Sequence, residues 1–142
     1  MTAQLPRATV LVAEDTEGVR RMLVRALAGA GYHVLPAAGG LEALDLAWQA
    51  GEALDLAIID LQLGGNDGQV LAEALHRLQP GLPILFVTGD LDPERIDQLL
   101  GPVLPKPFGH QTLATCVREY LETGTCTDCA VPVRIKRRAG NE

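Results

Sequence analysis

The sequence predicts an α/β protein with a doubly wound, five-stranded parallel sheet and helices on both faces. Short apolar runs alternate five times with stretches that carry apolar residues at helical spacing. The clearest run, residues 56–59, has four apolar residues in succession, as expected of a strand that is buried on both faces. Because parallel strands need crossover helices between them, this alternation favours the α/β class.

Length and composition are those of one globular domain with an aliphatic core. The chain has 142 residues, of which 47% are hydrophobic and only 4% are aromatic. Its apolar runs fall far short of the ~20 residues that span a membrane, and no signal peptide opens the chain. We therefore expect a cytoplasmic protein without a membrane partner.

The net charge of −6 is unevenly distributed along the chain. Residues 1–122 contain sixteen acidic and eight basic side chains, whereas the remainder contains two acidic and four basic ones. An acidic main body argues against nucleic acid as a partner. Part of that acidity is available for a cation site.

The first two predicted strand–helix units occupy the first third of the chain. The first strand, residues 8–13, ends at two acidic residues, and Thr16 can cap the helix that follows. The second strand is predicted at 32–35 and its helix at 40–49. One face of that helix is expected to pack inward through Leu41, Leu44 and Trp48.

The next two units follow the same pattern. The third strand ends at Asp60, and a loop rich in turn-forming residues spans 62–68 before a helix that ends ahead of Pro80. The fourth strand is predicted at 83–87, with a short helix at 93–100.

The last unit closes the predicted domain. Its strand, residues 103–104, lies between two prolines, which indicates a position at the edge of the sheet. The final helix is predicted at 110–121. Its inner stripe consists of Leu113, Val117, Tyr120 and Leu121, with Cys116 on or beside it.

Polar residues stand at the carboxyl ends of four predicted strands, namely Glu14, Asp15, Asp60, Thr88 and Lys106. In a doubly wound sheet these ends share one edge, so the side chains should converge in one crevice. Clustered carboxylates suit Mg²⁺, and an aspartate can attack a phosphoryl group. A hydroxyl and an ammonium group could hold the phosphoryl oxygens. An isolated Asp60 would more often cap a turn, and this convergence favours the chemical interpretation.

A set of short motifs resembles the receiver domain of bacterial two-component response regulators, the chemotaxis-regulator-like REC family. The resemblance covers about residues 8–122 and implies the flavodoxin-like strand order 2-1-3-4-5. Each motif alone is weak, but their order and the strand end that each occupies match the family. The motifs are Glu14-Asp15, Asp60, Asp67-Gly68, Thr88-Gly89 and Lys106-Pro107.

The resemblance assigns a role to each residue of the acidic crevice. Asp60 would accept a phosphoryl group from a phosphohistidine on a sensor histidine kinase or a histidine phosphotransfer protein. Asp15, Asp60 and the backbone carbonyl of Gln62 would bind Mg²⁺, with Glu14 acting through water. The chain would then be no enzyme beyond catalysing its own phosphorylation and dephosphorylation.

The resemblance also assigns roles to the neighbouring strand ends. Lys106 would pair with Asp60 or with the phosphoryl group, and the Lys106-Pro107 peptide would be cis. Thr88 would be the switch hydroxyl that moves toward the phosphoryl group. Gly89 would keep the site open to the donor.

The chain departs from the family pattern in three respects. Gly64 stands where proline is frequent, so we expect a looser loop. Val103 stands where the family has a switch aromatic, so output would pass through backbone shifts and the fourth helix. Gln62 and Asp90 occupy positions that tune loss of the phosphoryl group.

Residues 123–142 fall outside the alternating pattern and are predicted to be a flexible tail after a receiver domain at 1–122. Cys126 and Cys129 supply only two of the four ligands of a structural zinc site, so free thiols are the default. Two tails across a dimer could complete such a site. The basic run 134–138 is expected to be solvated, and it is too short for a DNA-binding domain.

Two functional classes stay open. The first is a stand-alone receiver, or a detached receiver of a sensor kinase, that signals to an unknown downstream protein through its last two helices and last strand. A homodimer through that face is also an expectation. The second is a constitutive interaction module that needs no phosphorylation. A haloacid-dehalogenase-type phosphatase is excluded, because its nucleophile follows the first strand in an Asp-x-Asp pattern, whereas Asp60 follows the third.

Overall fold

The structure is a computed structural model that describes residues 7–90 and 92–130. Five of its strands form one parallel sheet in the order β2-β1-β3-β6-β7, and β4 and β5 form a separate antiparallel hairpin. The predicted class and the strand order implied by the resemblance are both confirmed. The strands are β1 Thr9–Ala13, β2 His33–Ala37, β3 Leu54–Asp60, β4 Gln62–Leu63, β5 Asn66–Asp67, β6 Ile84–Thr88 and β7 Val103–Pro105.

Helices cover both faces of the sheet, because its central strands are apolar on both sides. One face packs against α1 and α5, and the other packs against α2 and α3. Strands β3 and β6 are buried almost throughout, so they form the centre of both cores. The helices are α1 Glu17–Gly29, α2 Gly40–Ala50, α3 Gly68–Leu78, α4 Pro93–Ile96 and α5 His110–Thr123, with a single 3-10 turn at Gly51–Ala53.

The inward face of α2 differs from the prediction. Leu41 and Trp48 are 87% and 71% exposed, whereas Ala43 and Ala47 are buried against the sheet. The two alanines are four residues apart and therefore lie on one face of the helix. Their small side chains let the helix axis approach the strands, which leaves the larger side chains outside. Leu44 packs against the core as expected.

Helix α4 ends at Ile96, four residues earlier than predicted. The Gln69 side chain of α3 donates to the carbonyl of Gln98 at 3.2 Å and accepts from the amide of Leu100 at 3.3 Å. These bonds give the backbone partners that a continued helix would have supplied. Next, Gly101 passes so close to β6 that a Cβ there would lie 2.0 Å from the Ile84 carbonyl oxygen.

The chain after α5 packs against the sheet as far as residue 130. Gly124 ends the helix with a φ of 78°, and Cys126 beyond it is buried. Ala130 exchanges two backbone hydrogen bonds of 2.8 Å with Val103, on the outer edge of β7. The division of the chain at residue 122 stays a prediction, but residues 124–130 do not form a free tail. The basic run 134–138 lies outside the described residues.

The cysteines also differ from the expectation of free thiols. Cys116 of α5 is bonded to Cys126, and Cys129 lies beside both sulfur atoms. The prediction did not anticipate this because sequence spacing alone does not show where the chain turns after α5. In the two described ranges, no helix has the length and hydropathy needed to cross a membrane.

Candidate functional site

The polar residues predicted at the strand ends do meet at the carboxyl edge of the sheet. Glu14 directly follows β1, Asp60 and Thr88 are the last residues of β3 and β6, and Lys106 directly follows β7. Glu14, Asp60 and Thr88 are buried, whereas Asp15 is exposed. The arrangement is a crevice with buried acidic walls and one acidic side chain toward solvent.

Lys106 links the two buried carboxylates. Its Nζ donates to Oε1 of Glu14 at 2.9 Å and to Oδ2 of Asp60 at 3.0 Å. The backbone amide of Lys106 donates to the carbonyl of Thr88 at 2.8 Å, which fixes the chain just before the side chain enters the crevice. The Lys106-Pro107 peptide is cis, as the resemblance implied.

Burial and their mutual contacts shift the pKa values of Glu14 and Lys106. Burial raises the pKa of Glu14 to about 7, and the hydrogen bond and negative charge of Asp60 add to the increase, while Lys106 opposes it. Burial by itself lowers the pKa of Lys106, but its hydrogen bonds to Glu14 and Asp60 outweigh that effect and raise it. Lys106 therefore stays charged, and Glu14 titrates near neutral pH.

Three carboxylates at this edge fit a divalent cation. Oxygen atoms of Glu14, Asp15 and Asp60 lie within 4.8 Å of one another. Carboxylates with access to water are the ligands that Mg²⁺ prefers. Burial is the main cause of the raised pKa of Glu14, and the nearby negative charge of Asp60 adds to it. A bound cation would offset that negative charge, so the donor set fits Mg²⁺.

Arg20 supports the acidic loop and was not singled out in the sequence. Its Nη1 donates to the carbonyl oxygens of Glu14 at 2.9 Å and Asp15 at 3.4 Å. The amide of Thr16 donates to Oε2 of Glu14 at 3.3 Å. A basic residue near a helix N-terminus, where the helix dipole disfavours positive charge, is the signal that could have identified Arg20.

The loop after Asp60 is a hairpin with two residues at its turn, and the looser loop expected from Gly64 stays a prediction. Gly64 and Gly65 have φ values of 57° and 82°, the pair of positive values that a type I′ hairpin turn requires. The amide of Gln62 donates to Oδ1 of Asp60 at 2.9 Å. A Cβ at Gly68 would lie 2.3 Å from the Asp60 carbonyl oxygen, so the return of the chain beside Asp60 requires glycine.

Thr88 lies at the crevice but its hydroxyl is engaged elsewhere. Its Oγ1 accepts from the amide of Asp90 at 3.1 Å and donates to the Asp90 carbonyl at 3.3 Å. Gly89 has open space where a side chain would project, since no atom lies within 4 Å of a Cβ built there. The edge of the crevice above β6 is therefore unobstructed.

A second contact that the sequence did not reveal ties the hairpin to α4. Arg95 forms an ion pair with Asp67, which also caps α3 by accepting from the amide of Gln69 at 2.9 Å. Because Asp67 is the last residue of β5, this pair connects the loop beside Asp60 with the segment that follows Thr88.

A parallel sheet in this order, with clustered carboxylates and a lysine at its carboxyl edge, is the architecture that the resemblance implied for receiver domains. The family model for the response regulator receiver domain matches residues 10–118. The chain belongs to the response regulator receiver family, and it is a receiver domain of two-component signalling.

The matching curated relatives include a sensor kinase and a response regulator receiver protein. The chain is 38% identical over 119 residues to the sensor kinase CckA of Brucella abortus, a match that covers 81% of this chain and 13% of the kinase. It is 34% identical over 116 residues to the response regulator receiver protein CpdR of the same organism, covering 79% of this chain and 95% of that protein. The chain thus resembles both a segment of a kinase and a single-domain regulator.

Solved structures agree with the family assignment. The chemotaxis response regulator CheY4 of Vibrio cholerae has a TM-score of 0.72 and 30% identity, and the match covers 80% of this chain and 98% of that one. The receiver domain of the hybrid histidine kinase CckA has a TM-score of 0.66 and 32% identity, with the same coverage of 80% and 98%.

Proposed function

We propose that this chain is a phosphorylation-dependent switch in which Asp60 accepts a phosphoryl group from the phosphohistidine of a sensor kinase or of a histidine phosphotransfer protein. The geometry at Asp60 is the main support for this proposal. Its two carboxylate oxygens are held separately, one by Lys106 and the other by the amide of Gln62. The carboxylate is thereby oriented at an edge that is open above Gly89.

The proposed transfer forms one bond and breaks another. A carboxylate oxygen of Asp60 forms a bond to phosphorus while the bond between phosphorus and the donor imidazole nitrogen breaks. The electron pair of the broken bond stays on the imidazole, which takes up a proton. The ammonium group of Lys106 is close enough to Asp60 to shift to a phosphoryl oxygen as charge develops there.

The acidic cluster would hold the cation for this reaction. Glu14, Asp15, Asp60 and the backbone carbonyl of Gln62 are the proposed ligands, with Glu14 acting through water. Bound Mg²⁺ supplies neutralising charge to the phosphoryl oxygens. Arg20 contributes by fixing the two carbonyl oxygens of the acidic loop, so it positions the ligands without contacting the phosphoryl group.

The output route proposed here passes through the turn at residues 88–90. For Thr88 to reach a phosphoryl group on Asp60, its hydroxyl must leave both groups of Asp90. That change moves the chain that leads into α4, where Arg95 pairs with Asp67. Val103 is fully buried and cannot swing as an aromatic ring would. A downstream protein would therefore recognise the altered backbone around α4 and β7, and the chain would turn over no other substrate.

Intact-protein mass spectrometry tests this proposal. The full chain is incubated with Mg²⁺ and a small acyl phosphate, beside Asp60→Asn and the matched control Asp45→Asn, which changes an exposed carboxylate of α2. We expect one phosphoryl adduct on the wild type and the control and none on Asp60→Asn, with no adduct when Mg²⁺ is chelated. If the wild type accepts no phosphoryl group from the acyl phosphate or from a phosphorylated kinase, a constitutive interaction module becomes the better account.

A further inference from the structure

All three cysteines of the chain meet at one place, in a cluster separate from the carboxylates of the acidic crevice. Cys116 lies on the inner face of α5, and Cys126 and Cys129 lie in the segment 124–130. The Cys129 Sγ is 2.8 Å from the Sγ of Cys116 and 2.6 Å from that of Cys126, and the latter two are bonded to each other. Cys116 and Cys126 are buried, and Cys129 is half-buried.

Independent contacts bring the segment to Cys116. The left-handed Gly124 reverses the chain after α5. The amide and hydroxyl of Thr127 then donate to the carboxylate of Glu119 at 3.4 and 2.9 Å. Beyond the cysteines, Ala130 pairs with Val103. Contacts on both sides of the Cys-x-x-Cys motif therefore hold the three sulfur atoms close together.

The distances between the sulfur atoms distinguish two possible roles of the cluster, namely thiol–disulfide exchange and metal binding. Thiol–disulfide exchange needs the attacking sulfur in line with the bond that breaks, near one sulfur and far from the other. The Cys129 sulfur is instead almost equally distant from both partners. Three thiolates around a common point suit a metal ion once the bond between Cys116 and Cys126 is reduced and the sulfur atoms move apart to the spacing of a tetrahedral site. Thiolate ligands select thiophilic ions such as Zn²⁺ over Mg²⁺.

We propose that Cys116, Cys126 and Cys129 form a three-thiolate site for one Zn²⁺ ion when the cysteines are reduced. A two-residue spacing such as that of Cys126 and Cys129 is usual for chelating pairs in zinc sites. Within residues 7–90 and 92–130 the cluster includes no His, Asp or Glu. A water molecule therefore fills the fourth position, on the side where Cys129 reaches the surface.

The chemistry balances in two steps. A dithiol reductant supplies two electrons and two protons to the bond between Cys116 and Cys126 and is itself oxidised to a disulfide. The three thiols then release three protons as they bind Zn²⁺, which leaves a site with a net charge of −1.

The zinc site would stabilise the segment 124–130 against the edge strand β7. Strand β7 is the last strand of the sheet, and an uncovered edge strand exposes unpaired backbone groups. Ala130, next to Cys129, supplies partners for both backbone groups of Val103. Zinc binding would therefore hold residues 124–130 across β7, beside α5. The amide hydrogen of Val103 should then exchange more slowly in the zinc-loaded chain.

Zinc titration of the reduced full chain tests the site. The assay uses a competing chromophoric chelator, with excess Mg²⁺ present to occupy the acidic crevice. We expect one Zn²⁺ per chain, and Co²⁺ in its place should give thiolate-to-cobalt charge-transfer absorption. Cys129→Ser should weaken binding more than about a hundredfold, whereas Asp128→Asn within the same motif should keep the wild-type stoichiometry.

Cys129→Ser is the main variant because the Cys129 side chain is partly exposed, so the variant should fold. The buried positions Cys116→Ser and Cys126→Ser are first checked for folding by circular dichroism. Equal zinc affinity in the wild type and Cys129→Ser would overturn the three-sulfur site. The site would also be overturned if the reduced wild-type chain binds no Zn²⁺ and the oxidised chain differs from it in mass only by the loss of two hydrogens. Neither result depends on phosphorylation of Asp60.

Discussion

The carboxyl edge of the sheet and the lateral edge of β7 are built in different ways. At the carboxyl edge, the backbones of β1, β3, β6 and β7 each deliver a polar side chain to one crevice. At the lateral edge, the segment 124–130 covers β7 through one backbone pair, a few side-chain bonds and the cysteines. The first arrangement follows from the strand pattern, whereas the second depends on one turn after α5. We therefore expect changes at the carboxyl edge to affect chemistry strongly and changes at the lateral edge to act weakly.

The largest effect is expected from Lys106→Ala. This change removes the cation that contacts Glu14 and Asp60, so the developing charge on the phosphoryl group loses its lysine partner. We expect phosphorylation to slow by about 10²–10³-fold, measured as the rate of adduct formation by intact mass. Arg77→Ala removes an exposed cation on α3 and serves as the control. Equal rates in the two variants would contradict the role of Lys106.

Gly68→Ala tests how the hairpin supports Asp60. The added methyl group would clash with the Asp60 carbonyl oxygen, which lies 2.3 Å from the Cβ position. We expect a loss of about 2–3 kcal/mol in the free energy of unfolding, measured by urea denaturation. Gly18→Ala is the matched control, because nothing lies within 4 Å of its Cβ position and alanine favours the helix. If Gly68→Ala is as stable as the control, the backbone at residue 68 can shift away from Asp60 to accommodate a side chain.

The raised pKa of Glu14 predicts a pH-dependent affinity for Mg²⁺. Below a pKa of about 7 the folded chain keeps a proton on Glu14, and a cation held through water beside Glu14 favours release of that proton. The apparent affinity should rise with pH below 7, by at most about tenfold per pH unit, and level off above it. Calorimetric titration at several pH values measures this slope, and Glu14→Gln should flatten it. The same slope in both chains would assign the proton to another group.

The same pKa sets the sign of the stability change in the absence of Mg²⁺. Between the unfolded value of 4.5 and about 7, the folded chain binds a proton that the unfolded chain has released. The contribution of Glu14 to stability therefore falls as the pH rises through this range and is lost above it. Urea denaturation across this range should show a steeper decline for the wild type than for Glu14→Gln.

The smallest effect is expected at the lateral edge. Ala130→Pro removes the amide that donates to the Val103 carbonyl, so we expect a loss of about 1 kcal/mol and faster hydrogen exchange of Val103. Ala130→Gly keeps both backbone bonds and should exchange like the wild type. A loss well above that of Gly68→Ala would mean that the lateral edge is as integral to the fold as the carboxyl edge.

The sequence was sufficient for the features that depend on strand periodicity. A polar residue directly after an apolar run marks a strand end, and parallel strands bring such ends together, so the positions of Glu14, Asp60, Thr88 and Lys106 could be predicted. The strand order was implied by the resemblance and not by the apolar pattern. The roles assigned to these residues stay predictions until phosphorylation is measured.

The features that the sequence did not reveal depend on packing between distant parts. In α2, the predicted inward face included Leu41 and Trp48, but the sheet packs against Ala43 and Ala47 because small side chains permit close approach. Helix α4 is short because Gln69 of α3 binds the backbone beyond it. The approach of Cys126 and Cys129 to Cys116 depends on the path of the chain after Gly124 and on the contact of Thr127 with Glu119. A glycine can mark the end of a helix, but it does not specify that path.

Locating the phosphoryl group tests the central claim most directly. The full chain is phosphorylated with Mg²⁺ and an acyl phosphate, then treated with borohydride, which reduces an aspartyl phosphate to homoserine, and the digested peptides are sequenced by mass spectrometry. We expect homoserine at position 60 and unmodified aspartate at positions 15 and 90. Homoserine at another position, or its absence from a chain that carries a phosphoryl group, would contradict the assignment of Asp60.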